Sequence, residues 1–590
     1  MINVVFVDSI TLNNNELNDN INLGLYSLLT VLNKERKFRG SIINFNRVYK
    51  EKKLVLKSDF ESNIDDISKY IIGLNPDIIS FYTLYKSHFI ALSVAKKIKE
   101  INSNIKILLG GPHATIAAHE TLEKYDFIDA IGVGEGEGTI VKILKSIHYN
   151  DDLDNVHGLA YLKEGKVKIN DSILVENLDE IPMIDYSLVE GIKNVSQMPI
   201  DVGRGCPYSC TFCTTKNFWS KKYRIKSTQR IIDEIKVLIS DYGCKYFNFL
   251  HDNFTCNKKQ VISICDEIIK NNFNITFECS SRADLLDEEI IKKLYSAGCR
   301  MVLLGIETGS MYMQKSINKN LDLEKTKKII ECLKENKIGV ATSFIMGYPN
   351  EQESDLSDTF KFIHQLALRK VDRILCNKLE IIPGAELFEK YKDNLSPKKN
   401  YSRVELGNVT NKDITLYLDK VITSDFYEYN TIVNEEIFLL QFIIGYVYKI
   451  IYKKFFGTYK LIIEYFNDNL LKFLKDLREE QLELLLDFRE KVIKEEEYND
   501  NEVVEIVERY IMEKSFEKNT CLIRSLFKLE KGINEVVLDD SIEFLIIDFP
   551  IDILRYLHDK YETNINYNVK LRISKQMSNK ILVGYEIKRN

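Results

Sequence analysis

Two hydrophobic rhythms follow one another along this chain. From residue 1 to about 150, short β-branched apolar runs at 3–7, 42–45, 78–82, 105–109 and 130–133 alternate with helical patterns such as 25–34 and 90–100. Continuous apolar strands separated by amphipathic helices predict a doubly wound parallel sheet covered on both faces. Ligands of such sheets sit beyond the carboxyl ends of the strands. That places Thr83, the run Gly110, Gly111, Pro112 and His113, and the glycine-rich run that begins Gly134, Glu135 on one rim. Residues 151–198 carry weaker strand signals at 158–162 and 166–169, punctuated by Pro182 and Pro199, and are expected to form a connector.

A second alternation fills 199–395, with strand signals at 201–203, 246–250, 275–279, 301–306, 340–345 and 378–382. Six βα units predict a partial TIM-like barrel with its chemistry at the strand C-termini. From 396 to 590 the texture changes to long amphipathic helices, including a charged stretch at 470–497, and then to strand-like runs at 536–537, 569–573 and 581–587. This mostly helical region with terminal strands is expected to serve substrate recognition. Its most apolar stretch, 437–452, is interrupted by Gln441 and Lys449 and is too short to span a membrane, so it reads as a core helix.

With 590 residues, 45% hydrophobic and 28% charged, the chain has material for two to four globular domains. A net charge of -6 gives no overall attraction to phosphate backbones, which makes nucleic acid a poor partner. Met1 leads directly into a strand pattern with no basic and apolar leader, so a cytoplasmic location is expected. The 11 cysteines are too sparse for a disulfide scaffold, and none precedes Cys206.

Three cysteines do cluster: Cys206, Cys210 and Cys213 share one loop after the first strand signal of the barrel. Three soft thiolates at this spacing suit an iron-sulfur cluster, and a four-iron cluster held by only three of them keeps one iron open to another ligand. A zinc site would ordinarily pair this element with a second Cys-x2-Cys, which is absent from the sequence. With Phe212 before its last cysteine, the loop resembles the signature of the radical S-adenosylmethionine superfamily. The segments 249–255, 281–284, 305–310 and 346–349 resemble, in kind and order, motifs of its cobalamin-binding branch. The first domain is similar to that branch's flavodoxin-like corrinoid-binding domain through 22–25, 110–113 and 134–137.

The resemblance implies a 4Fe-4S cluster on Cys206, Cys210 and Cys213 whose open iron chelates S-adenosylmethionine, and reductive cleavage to a 5'-deoxyadenosyl radical. It implies that Arg282 binds the methionyl carboxylate, that Glu307 sits at the ribose or methionyl end, that Gly347 lets the backbone approach adenine, and that Asp252 contacts the cofactors. Asn253 stands where relatives often carry a second acid. It further implies cobalamin on the rim formed by Thr83, Gly110, Gly111, His113, Gly134 and Glu135. No Asp-x-His-x-x-Gly occurs, so the lower-ligand histidine of that motif is missing. A nicotinamide site would want Gly-x-Gly-x-x-Gly where Asp8 and Ser9 stand. A domain that has lost its corrinoid and only supports the barrel is the competing reading.

The activity implied is methylation of an unactivated carbon or phosphorus in a peptide or natural-product intermediate, with an electron donor such as flavodoxin or ferredoxin. The alternatives are a radical rearrangement or cyclisation with the same cofactors, and a non-catalytic corrinoid or iron-sulfur sensor. A methylthiotransferase would need three more cysteines ahead of Cys206. The remaining cysteines read as buried inert thiols, with Cys279 and Cys376 near strand ends worth testing at the radical site.

Overall fold

The computed structural model describes residues 1–10 and 21–397 apart from 86, 152 and 196, and beyond them chiefly 403–404, 407–408, 427–431, 455–494, 500–516, 544–550, 568–575 and 581–588. β1 (Ile2–Val7), β2 (Phe38–Ile43), β3 (Ile78–Tyr82), β4 (Lys106–Gly110) and β5 (Ala130–Gly132) pair in parallel in the order β2-β1-β3-β4-β5. Val4, Phe6, Ile78 and Leu108 face the helices Leu23–Asn33 and Ile140–Tyr149. Their neighbours Val5, Val7, Ile79 and Leu109 face Phe60–Ile72 and His88–Ile101. Burial on both faces is why these strands read as unbroken apolar runs. The strand order reverses between β1 and β3, and that reversal opens the crevice at the rim.

Two expectations shift. The strand expected at 42–45 is Phe38–Ile43, and Phe45 instead opens a helix whose first turn is capped by the Asn44 side chain, which accepts from Arg47 N. The expected connector supplies β6 (Leu159–Lys163) and β7 (Lys166–Ile169), which add antiparallel to the edge at β5. Glu164 and Gly165, at φ 51° and 73°, form the two-residue turn between them.

The second sheet runs β8 (Met198–Asp201), β11 (Tyr246–Leu250), β12 (Thr276–Ser281), β13 (Cys299–Glu307), β14 (Gly339–Met346) and β15 (Arg373–Lys378), each beside the next. β8, β11, β12 and β13 pair in parallel. Helices such as Thr228–Tyr242, Lys258–Lys270 and Leu323–Glu335 intervene, giving the open barrel the hydrophobic rhythm predicts. The last strand ends at Lys378, where the sequence signal at 378–382 begins. The short β9 (Gly203–Arg204) and β10 (Arg224–Ile225) form an antiparallel ribbon.

The chain divides into two compact units. The first comprises residues 1–306, 314–342 and 379–431, and so contains the first sheet and the cysteine loop; the second comprises 307–313, 343–378 and 432–590. In the second, helices Phe456–Tyr465, Leu470–Glu480, Leu482–Lys494 and Asp500–Glu513 bury Tyr459, Phe473 and Tyr510. Strands Phe544–Pro550, Asn568–Lys575 and Ile581–Lys588 make an antiparallel sheet. The run at 536–537 and most of 437–452 lie outside the described residues. No described helix is long and apolar enough to cross a membrane.

Candidate functional site

The cysteine loop begins with a forced reversal. Gly205 adopts φ +88°, and a side chain there would run into the Lys222 carbonyl oxygen. Its N–H donates to Asp252 Oδ2 at 2.7 Å. The acid expected to contact cofactors thus holds the loop backbone, and burial pushes its carboxyl above the ordinary range. Further along, Thr211 N donates to Ile317 O and Leu387 N to Thr211 O, tying the loop to the barrel. None of the three thiols is in a disulfide; Cys210 is buried and the other two are half-buried. Burial raises the Cys206 thiol, opposed by the Tyr208 N–H and by Asn253 Nδ2 at 4.0 Å. Thr215 N donates to Cys213 Sγ at 3.4 Å.

Asn253 also accepts from Arg282 N at 3.3 Å, which joins the loop to β12. The Arg282 guanidinium lies over the Tyr208 ring at 3.8 Å. Its Nε and Nη2 donate to Asp284 at 3.0 and 2.9 Å, and Nη2 also donates to Lys319 O. Nη1 is buried without a partner among the described residues. Such an orphaned cationic donor is costly unless an acceptor arrives, and a carboxylate fits it. The donor set of three thiols with N–H groups directed at sulfur likewise fits an iron-sulfur cluster. A fourth thiol, Cys256, lies near enough to interact with Cys206, and burial together with that neighbour pushes it up to about 12. Cys279 shares a hydrogen bond with Cys299, both buried and neither in a disulfide.

At the rim, a side chain on Gly110 would enter open space, while one on Gly111 (φ +96°) would meet Thr83 O and the Tyr82 ring at 2.9 Å. A flat group has room over this edge. The side chains of two expected contacts are packed within the fold. Thr83 is wholly buried, with Oγ1 accepting from Ala114 N and 3.4 Å from His88 Nδ1. His113 is 3% exposed and packs on the His88 ring, its imidazole lowered to about 4 by burial. The Glu135 side chain is likewise engaged within the protein. Its carboxylate pairs with Arg204 at 2.8 Å and Arg224 at 2.7 Å and accepts from Val175 N. Helix Pro112–Ile116 packs against helix Thr215–Phe218, which starts two residues after Cys213.

In the second unit, Glu307 ends β13 buried at φ +71°, a conformation that side chains other than glycine's rarely adopt and that clusters at functional sites. Gly347 has φ +89°, and its N–H donates to Glu351 Oε2 at 2.6 Å, with Tyr348 N also donating at 3.3 Å. Glu351 is 1% exposed and its Oε1 has no described partner. Burial pushes its carboxyl up to about 7, against the two backbone bonds that favour ionisation. Between pH 4.5 and 7 the unfolded chain then ionises while the folded one holds the proton. Stability should fall by about 3 kcal/mol as pH rises through that window. Thermal midpoints at pH 5 and pH 8 should differ less in Glu351→Gln than in the parent, and an unchanged difference would show that this carboxyl is not the titrating group.

Arg204, Arg224 and Glu351 escape sequence reasoning, whereas Glu137 and Asn253 fall inside segments the sequence singles out. The one local signal is that Arg204 directly precedes the Gly205–Cys206 turn.

Residues 17–144 match the B12 binding domain, and residues 200–363 match the Radical SAM superfamily. An uncharacterized methyltransferase of Pyrococcus horikoshii is 31% identical over 386 residues, covering 63% of this chain and 83% of that protein. The anaerobic magnesium-protoporphyrin IX monomethyl ester cyclase of Rubrivivax gelatinosus is 30% identical over 311 residues, 50% of this chain and 56% of that protein. The solved structure of the cobalamin-dependent S-adenosylmethionine radical enzyme OxsB with aqua-cobalamin bound shares the fold, with a TM-score of 0.59 and 17% identity over 91% of this chain and 81% of that one. The chain therefore belongs to the cobalamin-dependent radical S-adenosylmethionine enzymes, whose cofactors are a 4Fe-4S cluster, S-adenosylmethionine and cobalamin.

Proposed function

We propose that this enzyme methylates an unactivated carbon, or a phosphorus, of a peptide or natural-product intermediate, drawing single electrons from a flavodoxin or ferredoxin. The observation that carries the reading is the packing of the rim helix Pro112–Ile116 on Thr215–Phe218, two residues after Cys213, which supports a corrinoid edge and a cluster loop serving one substrate. Bound together, the cofactors supply a 5'-deoxyadenosyl radical and a transferable methyl group.

In this reading Cys206, Cys210 and Cys213 hold the cluster. The Tyr208 ring and Asp284 fix the Arg282 fork, so that the free Nη1 receives the methionyl carboxylate. Glu307 serves the ribose or methionyl end. Gly347, whose N–H is already given to Glu351, offers adenine its carbonyl and the close approach that a missing side chain permits. Gly110 gives the corrinoid its open edge. Burial of Cys210 and Arg282 limits water at the cluster end. Cyclisation is the second reading, favoured by the similarity to the magnesium-protoporphyrin cyclase.

Anaerobic reconstitution with iron, sulfide and cobalamin tests both. The expected result is bound corrinoid with dithionite-dependent formation of 5'-deoxyadenosine and S-adenosylhomocysteine. Corrinoid with deoxyadenosine alone would favour the rearrangement or cyclisation reading. A protein with its cluster and neither product would return the sensor reading.

A further inference from the structure

We infer that Glu135 and Glu137 act as positioning residues, through an ion-pair bridge to Arg204 that fixes the corrinoid rim against the loop carrying the cluster cysteines. The inference rests on the proposed roles of that rim and loop. Glu137 Oε1 accepts from Arg204 Nη2 at 2.7 Å and from Ser27 Oγ at 3.1 Å, while Glu135 Oε1 takes Arg204 Nη1 at 2.8 Å. Both guanidinium ends of one arginine are therefore held by two carboxylates from the loop that starts at Gly134. The glutamate side chains are 1% and 7% exposed and the arginine 13%, so solvent screens little of the interaction. Arg204 also reaches Asp201 at the end of β8, and the Trp219 ring lies under it at 6.0 Å.

The placement makes this more than an interface contact. Arg204 is two residues before Cys206, and its strand pairs with Arg224, which donates to the other oxygen of Glu135. Past the other end of the loop, Thr215–Phe218 rests on Pro112–Ile116. The segment from Cys206 to Cys213 is thus gripped on both sides by the domain that carries the corrinoid rim. Buried forked pairs contribute geometric definition more than net stability. Geometry is what a radical reaction shared by two cofactors needs, since a misplacement of about 1 Å can slow a positioned reaction by roughly a hundredfold. Gly134 follows the same design: at φ +83° it turns the chain next to Ser172 and aims the two glutamates at the ribbon.

The test uses the full chain and the isosteric variant Glu137→Gln, with Ser27→Ala as a milder second variant should the first fold poorly. Hydrogen exchange of the 206–213 segment, 69 residues or more from either substitution, should accelerate by about tenfold in Glu137→Gln with iron per chain unchanged. In the cobalamin-loaded, reduced protein, the EPR spin–spin interaction between cob(II)alamin and the reduced cluster should broaden or vanish. A loop as protected as in the parent, with an unchanged interaction, overturns the bridge even if the melting temperature falls, because a purely structural role would move only the latter. Should the parent bind no cobalamin, the corrinoid reading fails on its own, and the exchange of the cysteine loop still decides the bridge.

Discussion

Replacing Cys206, Cys210 or Cys213 singly by alanine should lower 5'-deoxyadenosine formation by more than about a thousandfold, equivalent to ~4 kcal/mol of lost barrier reduction. The same substitutions should take iron content down with activity. The reason is the absence of reserve in the loop: the three thiols sit on one segment anchored at Gly205, Thr211 and Thr215, and each would hold one iron corner. Cys256 provides the internal control. It is close enough to Cys206 for their charges to interact, yet it sits on the turn Phe254–Cys256 after β11, outside the motif. Cys256→Ala should keep its iron and its deoxyadenosine. A triad variant that retains a full cluster, or a Cys256 variant that loses it, would overturn the assignment of ligands.

What the sequence reveals of this fold follows from how local each signal is. Strands buried on both faces, such as Ile78–Tyr82, announce themselves as unbroken apolar runs, and the parallel order with its crossovers follows from the helices between them. The edge strand Phe38–Ile43 does not, because an edge carries Arg39, Gly40 and Ser41 where a central strand would carry valine or isoleucine. Its apolar end was legible and its polar start was not. The ribbon-like strands Leu159–Lys163 and Lys166–Ile169 were visible as strands, but their docking onto Ala130–Gly132 depends on a partner outside their own stretch.

The candidate site divides along the same line. The cysteine triad spans eight consecutive residues of one loop, so its spacing is visible in the sequence, as are Gly111, Gly134 and Gly347, which adopt positive φ. Glu135 stands in a glycine-rich run that suggests a rim contact, and its ion pairs are with Arg204, 69 residues away, and Arg224, 89 away. No local pattern reports a pair at that separation. Asp252 illustrates the subtler case: its oxygen accepts from the Gly205 N–H, while Asn253 links Cys206 with Arg282, a division that the sequence of the two neighbours does not announce. Side-chain roles at strand ends depend on which way the chain leaves the sheet, and spacing alone does not carry that.

Gly205→Ala should cost this protein its cluster while Gly165→Ala does not, although both glycines have positive φ. At Gly165, in the turn between Lys163 and Lys166, an added Cβ meets nothing within 4 Å, so only the left-handed backbone penalty applies, about 1–2 kcal/mol. At Gly205 the same penalty is joined by a collision with the Lys222 carbonyl oxygen across the ribbon, which adds roughly 1–3 kcal/mol of forced backbone shift. That shift falls on β9 and β10, whose pairing of Arg204 with Arg224 holds the approach to Cys206, and on the Asp252 bond to the Gly205 N–H. Iron per chain after reconstitution should therefore fall severalfold in Gly205→Ala and stay at the parental value in Gly165→Ala, with the larger drop in thermal midpoint in the former. Equal iron in the two variants would mean that the collision is relieved at the surface and that the ribbon does not set the geometry of the cysteine loop. A selective loss would identify the Gly205 turn as the point where the fold of the barrel is converted into the placement of its three thiols.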